Sequence, residues 1–157
     1  MTEHTAKIIW ERGDQNFLDN RYSRKHKIQF DGGLEIPASS APSNVPVPLS
    51  DESAADPEEL LIAALSNCHM LWFLAIAAKR GFRVDSYEDD AKGHMAKNEH
   101  GKLFLAQVTL NPVTAFSGEK IPTQEELEQL HHKAHEECFI ANSVLTEIIC
   151  KPVLHNS

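Results

Sequence analysis

Three cysteines, Cys68, Cys138 and Cys150, are the residues with the greatest capacity for covalent chemistry in this chain. A thiolate can attack a peroxide or a disulfide, and it can also bind a soft metal ion. Three is an odd number and too few for a disulfide scaffold. In a reducing compartment such cysteines are more often buried, catalytic or metal-binding.

Cys68 stands in a long apolar segment that is predicted to be helical. A free cysteine on a buried helix is more often a small hydrophobic residue than a nucleophile. Cys68 lies about three turns beyond the predicted helix start at Pro57, where the helix dipole no longer acts. A reactive thiol here therefore needs a cation from elsewhere, and Arg21 and Arg24 in an early polar loop are the candidates.

Cys138 ends a second predicted helix that is rich in histidine. His131, His135 and Cys138 share one helix face, a spacing that could ligate zinc. A hydrated polar face is the other interpretation, and the pattern alone favours it. Cys150 lies in an alternating run and is predicted to be a core or sheet residue.

The strongest predicted element is the helix over residues 56–80. Asp56 is its expected N-cap, Pro57 its first residue and Glu59 the third, which forms a capping box. The helix is apolar nearly all round, so we expect it to be central and buried. Gly81 is well placed to end it.

The remaining pattern predicts strands on both sides of this helix. Thr123 and Glu126 form a second capping box, which opens a helix that ends near Cys138. Residues 36–53 form a long proline-rich loop, of a kind that is often functional. The order β-β-α-β-β-α-β predicts an α+β fold with mostly antiparallel pairing, in one domain over residues 1–157. The predicted strands are residues 6–10, 26–30, 82–97, 102–116 and 143–153.

Composition excludes several classes of protein. The 157 residues are 41% hydrophobic and carry a formal net charge of −8, which suits a soluble globular domain and argues against nucleic-acid and anionic-membrane partners. We expect no transmembrane helix, because no apolar run approaches about 18 residues. The N-terminus lacks a signal-peptide pattern, so a cytoplasmic location is expected.

Several motifs together resemble one family. Asp56-Pro57-Glu58-Glu59-Leu60, then Ala63-Ala64 and Cys68 on one helix, and Cys138 followed by Ser143-Val144, are similar to the OsmC/Ohr family of osmotically inducible and organic hydroperoxide resistance proteins. The β-β-α-β-β-α-β order is similar to that family over almost the whole chain.

The resemblance implies a thiol peroxidase that needs no cofactor or metal. Cys68 would be the peroxidatic cysteine and Cys138 the resolving one. Arg24, with Arg21 as the alternative, would stabilise the thiolate, and Glu58 would orient that arginine through a bidentate pair. The implied partners are an organic hydroperoxide and a dithiol reductant such as a dihydrolipoyl protein. The implied assembly is an intertwined homodimer around two central helices, with sites at the subunit interface.

Helix geometry adds an expectation about that dimer. Ten residues separate Glu58 from Cys68, which corresponds to about 15 Å along a straight helix. The two side chains therefore cannot share a small site within one chain. We expect Glu58 of one subunit to serve Cys68 of the other.

The chain also departs from the family pattern. Asn67 and His69 flank Cys68, and Phe139 follows Cys138, where the family commonly has other residues. An apolar pocket would favour organic hydroperoxides, with Trp72, Phe73, Phe139 and Ile140 as candidate lining. Two alternatives remain at this point: a metal-binding protein that uses Cys68, His69, His135 and Cys138, and a non-catalytic member that binds a small ligand.

Overall fold

The computed structural model describes residues 1–155, which divide into two compact units, residues 1–60 and the remainder from Leu61. The first unit holds an antiparallel sheet in the order β1-β2-β3. Ile28 and Ala38 are its buried hydrophobic residues. The three strands are β1 (Ala6–Ile9), β2 (His26–Phe30) and β3 (Glu35–Ala38).

The prediction that residues 36–53 form a loop is wrong for the first of these residues, which belong to strand β3 and pair with β2. The rest of that loop is anchored by hydrogen bonds. The N–H of Ser39 donates to the carbonyl of Ala55 at 3.0 Å, and the N–H of Asp51 donates to the Ser39 hydroxyl at 3.0 Å. The loop therefore runs back beside β3 as an ordered segment.

Helix α1 (Pro57–Lys79) begins and ends as predicted. The N–H of Glu59 donates to Asp56 Oδ1 at 2.8 Å, and the N–H of Asp56 donates to Glu59 Oε2 at 3.1 Å, which completes the capping box. At the other end Gly81 adopts a φ of 83°. The N–H of Phe82 then reaches the carbonyl of Ala77, and that of Gly81 the carbonyl of Ala78, in a Schellman motif.

Helix α1 is less buried than the sequence predicts. Its buried residues are Leu65, His69, Phe73 and Ala77, which lie four apart and form one face. Leu71 on another face is 60% exposed. Within a single chain, an apolar helix thus keeps much of its apolar surface uncovered.

By length and composition α1 could also cross a membrane. This corrects the expectation that no segment of the chain reaches that length and apolarity. A helix at the core of a globular protein satisfies the same criterion, so the finding carries no membrane assignment.

The second unit adds two mixed sheets, in the orders β4-β7-β9 and β5-β6-β8. The pairs β4–β7 and β5–β6 are antiparallel, whereas β6–β8 and β7–β9 are parallel. The elements are β4 (Arg83–Asp89), β5 (Lys92–Lys97), β6 (Leu103–Leu110), β7 (Pro112–Ser117), α2 (Gln124–Glu137), a 3₁₀ turn (Ala141–Ser143), β8 (Glu147–Cys150) and β9 (Val153–Leu154).

Each of the three long predicted strands in this unit is broken in two. Asp89 and Asn111 mark the first two breaks, where the N–H of Asn111 donates to Asp89 Oδ1 at 2.6 Å. The side-chain amide of Asn111 also donates to the carbonyl of Asp90 at 2.9 Å. These side chains take hydrogen bonds that would otherwise continue the ladder, so the chain passes from one sheet to the other.

Two hydrophobic clusters hold this unit together. Phe73 and Ala77 of α1 pack with Leu127 and Leu130 of α2 in the first. Leu65 of α1 packs on β6 in the second. Helix α1 thus contributes to both clusters, and its position is fixed on one face by α2 and by the sheet.

Candidate active site

Cys68 and Cys138 are brought together in the second unit. Cys68 is half-buried on α1, and Cys138 is buried at the C-cap of α2. Burial raises the pKa of the Cys138 thiol to about 11. The N–H of Ala141, 3.4 Å from the Cys138 sulfur, lowers this pKa, whereas the neighbouring Cys68 thiol raises it further. The two thiols are therefore direct neighbours, and both are free.

The Cys68 thiol opens into an apolar cavity of about 450 Å³. The rings of Trp72 and Phe139 meet edge to face at its wall, with centroids 5.5 Å apart. Ile140 also lines the cavity as predicted, but Phe73 does not, because it is fully buried in the first hydrophobic cluster. The lining residues are Ala64, Asn67, Cys68, Leu71, Trp72, Ala75, Phe139 and Ile140. None of these eight carries a charge.

Arg24 and Glu58 line a cavity of about 490 Å³ in the first unit. The Arg24 guanidinium donates to the carbonyl of Tyr22, and to the side-chain oxygen of Asn20 at 2.9 Å. It also stacks on the Tyr22 ring, 3.8 Å from the centroid. Arg21 is exposed and is not among the lining residues, so the geometry favours Arg24 of the two candidates.

The predicted bidentate pair between Arg24 and Glu58 is not formed. Within residues 1–155, Glu58 Oε2 is buried without a hydrogen-bond partner. The guanidinium is instead held by local groups of its own loop. Arg24 and Glu58 therefore share a cavity, and a buried carboxylate oxygen there is available to a further group.

A second cluster, which the sequence did not predict, lies between α1, α2 and β8. His69 Nε2 is 2.9 Å from His131 Nδ1, and the two stacked rings are each 1% exposed. Cys150 Sγ lies 3.8 Å from His69 Nε2. Burial lowers the pKa of His69 to about 4 and that of His131 to about 3, and it raises the pKa of Cys150 to about 12.

This cluster corrects both metal hypotheses drawn from spacing. Among the described residues, the histidine and cysteine side chains that converge are His69, His131 and Cys150. The sets Cys68/His69/His135/Cys138 and His131/His135/Cys138 do not converge. Cys68 lines the apolar cavity instead. In the sequence, the features that could have indicated this cluster are His69 on an apolar helix and Cys150 in a strand. Neither feature shows which other residues lie beside it.

Comparison with known proteins decides the family. Residues 50–151 match the family model described as OsmC-like protein, which is well over half of the chain. The chain belongs to the OsmC-like protein family. This confirms the resemblance drawn from the Asp56–Leu60 motif and the two cysteines. No curated protein matches the chain significantly.

Solved structures agree with this assignment. This OsmC-like chain is similar to an OsmC-like protein of unknown function from Vibrio cholerae, with 52% identity over 98% of this chain and 100% of that one, and a TM-score of 0.95. An organic hydroperoxide resistance protein from Elizabethkingia anophelis is 20% identical over 99% of both chains, with a TM-score of 0.66. The organic hydroperoxide resistance protein OhrB of Bacillus subtilis is 20% identical over 96% of this chain and 98% of that one, with a TM-score of 0.59. The last two show the shared α+β fold.

Proposed function

We propose that this OsmC-like protein is a cysteine-based peroxidase that reduces organic hydroperoxides. The observation that carries the proposal is that the half-buried Cys68 thiol lines an apolar cavity and has the buried Cys138 thiol as its neighbour. A nucleophilic thiol needs access to substrate, and a resolving thiol needs only access to the first one. The two cysteines meet these two requirements.

The proposed reaction balances in three steps. The Cys68 thiolate attacks the O–O bond of the hydroperoxide, which releases an alkoxide that is protonated to the alcohol, and leaves a sulfenic acid. The Cys138 thiol condenses with that sulfenic acid, so that water leaves and a Cys68–Cys138 disulfide forms. An external dithiol then reduces the disulfide by thiol–disulfide exchange and is itself oxidised.

The cavity supports an organic substrate over hydrogen peroxide. Its volume of about 450 Å³ lies in the range of small-molecule pockets, and its walls are uncharged. Trp72 and Phe139 offer flat apolar surface to an alkyl or aryl group. Hydrogen peroxide would gain nothing from these contacts, because it has no apolar part to bury.

We propose that Arg24 and Glu58 act in trans, in a homodimer. Cys68 needs a cation to be activated, and the eight residues that line its cavity include none. Arg24 and Glu58 line a different cavity, and the uncovered apolar surface of α1 offers a face for a second copy. A cytoplasmic role in oxidative-stress defence, with a dihydrolipoyl protein as reductant, completes the proposal.

The test is peroxide consumption by three variants with dihydrolipoamide as the dithiol. Cys68→Ser should abolish turnover. Cys138→Ser, assayed without the dithiol, should consume about one equivalent of cumene hydroperoxide and then stop in the sulfenic acid state, which dimedone traps. His132→Gln, a change on the exposed face of α2, should keep the wild-type rate. Wild-type turnover by Cys68→Ser would contradict the proposal.

A further inference from the structure

We propose that His69, His131 and Cys150 form a binding site for one zinc ion. The three side chains come from α1, α2 and β8, and their ligand atoms all lie within 4.8 Å of one another. This site is separate from the Cys68 thiol and plays no part in the proposed peroxidase reaction.

Two of the three distances between ligand atoms are close to those of a zinc centre. With Zn–N near 2.05 Å and Zn–S near 2.3 Å, a tetrahedral site separates two nitrogens by about 3.3 Å and a nitrogen from a sulfur by about 3.6 Å. Here His69 Nε2 is 2.9 Å from His131 Nδ1 and 3.8 Å from Cys150 Sγ. Side-chain shifts of a few tenths of an ångström would bring both distances to these values.

Hydrogen bonding alone does not account for two buried imidazoles. A neutral pair can share one N–H, which leaves one N–H and one lone pair on the outer nitrogens in either tautomer. In the part of the chain that the structure describes, those atoms, His69 Nδ1 and His131 Nε2, are buried without a partner. Each such group costs about 1–3 kcal/mol, so burial of the pair lowers stability. A zinc ion would bind the inner nitrogens, His69 Nε2 and His131 Nδ1, and its binding energy would offset that cost.

The donor set selects the class of metal. Two imidazole nitrogens and one thiolate are typical ligands of zinc, whereas magnesium and calcium require oxygen. An open cavity of about 200 Å³ is lined by His131, His135 and Cys150, and it gives an ion a route to the cluster. His135 lies one turn from His131 and lines the same cavity, but the converging ligand atoms are those of His69, His131 and Cys150, so the fourth place is left to water.

A zinc ion here would tie together the elements that carry the reactive thiols. His69 follows Cys68 on α1, and His131 lies on α2, which ends at Cys138. Because the three ligands belong to three elements, bound zinc stabilises their packing and adds its binding energy to folding. The proposed role is structural.

The test is a titration of reduced, metal-free protein with cobalt(II), a spectroscopic substitute for zinc. Wild type should bind one equivalent, with a thiolate-to-cobalt charge-transfer band and visible bands of tetrahedral cobalt, and zinc should abolish both. Cys150→Ser should remove the charge-transfer band and weaken zinc binding by more than about 100-fold. Loss of a hydrogen bond that only supports a ligand typically weakens binding by about 10–100-fold. His131→Gln should weaken binding similarly.

Two matched variants act as controls. Cys138→Ser removes a different buried thiol, and His132→Gln removes the exposed histidine next to His131. Both should keep the band and the affinity. Circular dichroism and the melting temperature without metal show whether Cys150→Ser is folded, and zinc should raise the melting temperature of wild type but not that of Cys150→Ser. An absent band, a band that survives in Cys150→Ser, or a band lost in Cys138→Ser would overturn the proposal.

Discussion

At the scale of single residues, the Cys68 and Cys138 thiols have different environments, which the spacing of the two residues in the sequence does not predict. Cys138 is buried and its pKa is raised to about 11, whereas Cys68 is open to an apolar cavity. The resemblance implies that the two cysteines act as a pair, and in the structure their thiols are neighbours. The sequence could not predict that Phe73 lies outside the cavity, because the pattern of a helix that is apolar nearly all round does not show which face is buried.

The raised pKa of Cys138 predicts a pH dependence for disulfide formation. The thiolate is the attacking form, and below a pKa of about 11 its fraction rises about tenfold for each pH unit. The step from sulfenic acid to disulfide should therefore accelerate by about that factor per unit between pH 7 and 9. Stopped-flow fluorescence of Trp72, which lines the Cys68 cavity, should report the step.

A control separates this step from the first one. Cys138→Ser cannot form the disulfide, so the pH-dependent phase should be missing from its fluorescence trace. A resolution rate that stays constant over this pH range would contradict the assignment of Cys138 as a buried resolving thiol.

At the scale of elements, the helix ends could be predicted from sequence, because each end is formed by hydrogen bonds between residues close together in the chain. The capping boxes at Asp56 and Thr123 and the helix end at Gly81 are each formed as expected. The breaks within the long strands could not be predicted. They depend on contacts such as that between Asp89 and Asn111, which lie 22 positions apart.

Gly93 on β5 supports the position of α1 against the sheet. A Cβ at Gly93 would lie 2.6 Å from Ile62 Cδ1 of α1 and 2.8 Å from Leu105 Cδ1 of β6. Gly93→Ala should therefore lower the free energy of unfolding by about 1–2 kcal/mol, as overpacking does. Denaturant unfolding in a reducing buffer measures the change.

Gly32 offers the matched control. A Cβ there meets nothing within 4 Å, so Gly32→Ala should change the free energy of unfolding by less than about 0.5 kcal/mol. Equal effects of the two substitutions would contradict close packing of α1 on β5.

At the scale of the whole molecule, the family and the α+β fold were predicted from a few motifs and confirmed. The single-domain assignment and the homodimer stay predictions. Helix α1 leaves Leu71 60% exposed, so its apolar character is not explained by one chain alone. In the proposed homodimer, the second copy would cover the exposed apolar face of α1 and complete the core around it.

Subunit complementation tests whether Glu58 acts in trans. Cys68→Ser and Glu58→Gln homodimers should each be impaired. If Glu58 of one subunit serves Cys68 of the other, a heterodimer of the two contains one intact site. Statistical re-association should then restore about a quarter of the wild-type sites. Activity of the re-associated mixture that does not exceed the mean of the two parents would contradict the arrangement in trans.

The most direct test of the central claim is to map the cysteines after a single oxidation. Reduced protein is mixed with one equivalent of an organic hydroperoxide, denatured, blocked with an alkylating reagent, digested without reductant and analysed by mass spectrometry. We expect a mass lower by two hydrogens, a Cys68–Cys138 disulfide and an alkylated Cys150. Unoxidised Cys68 and Cys138, or a disulfide that includes Cys150, would contradict the assignment of a two-cysteine peroxidase.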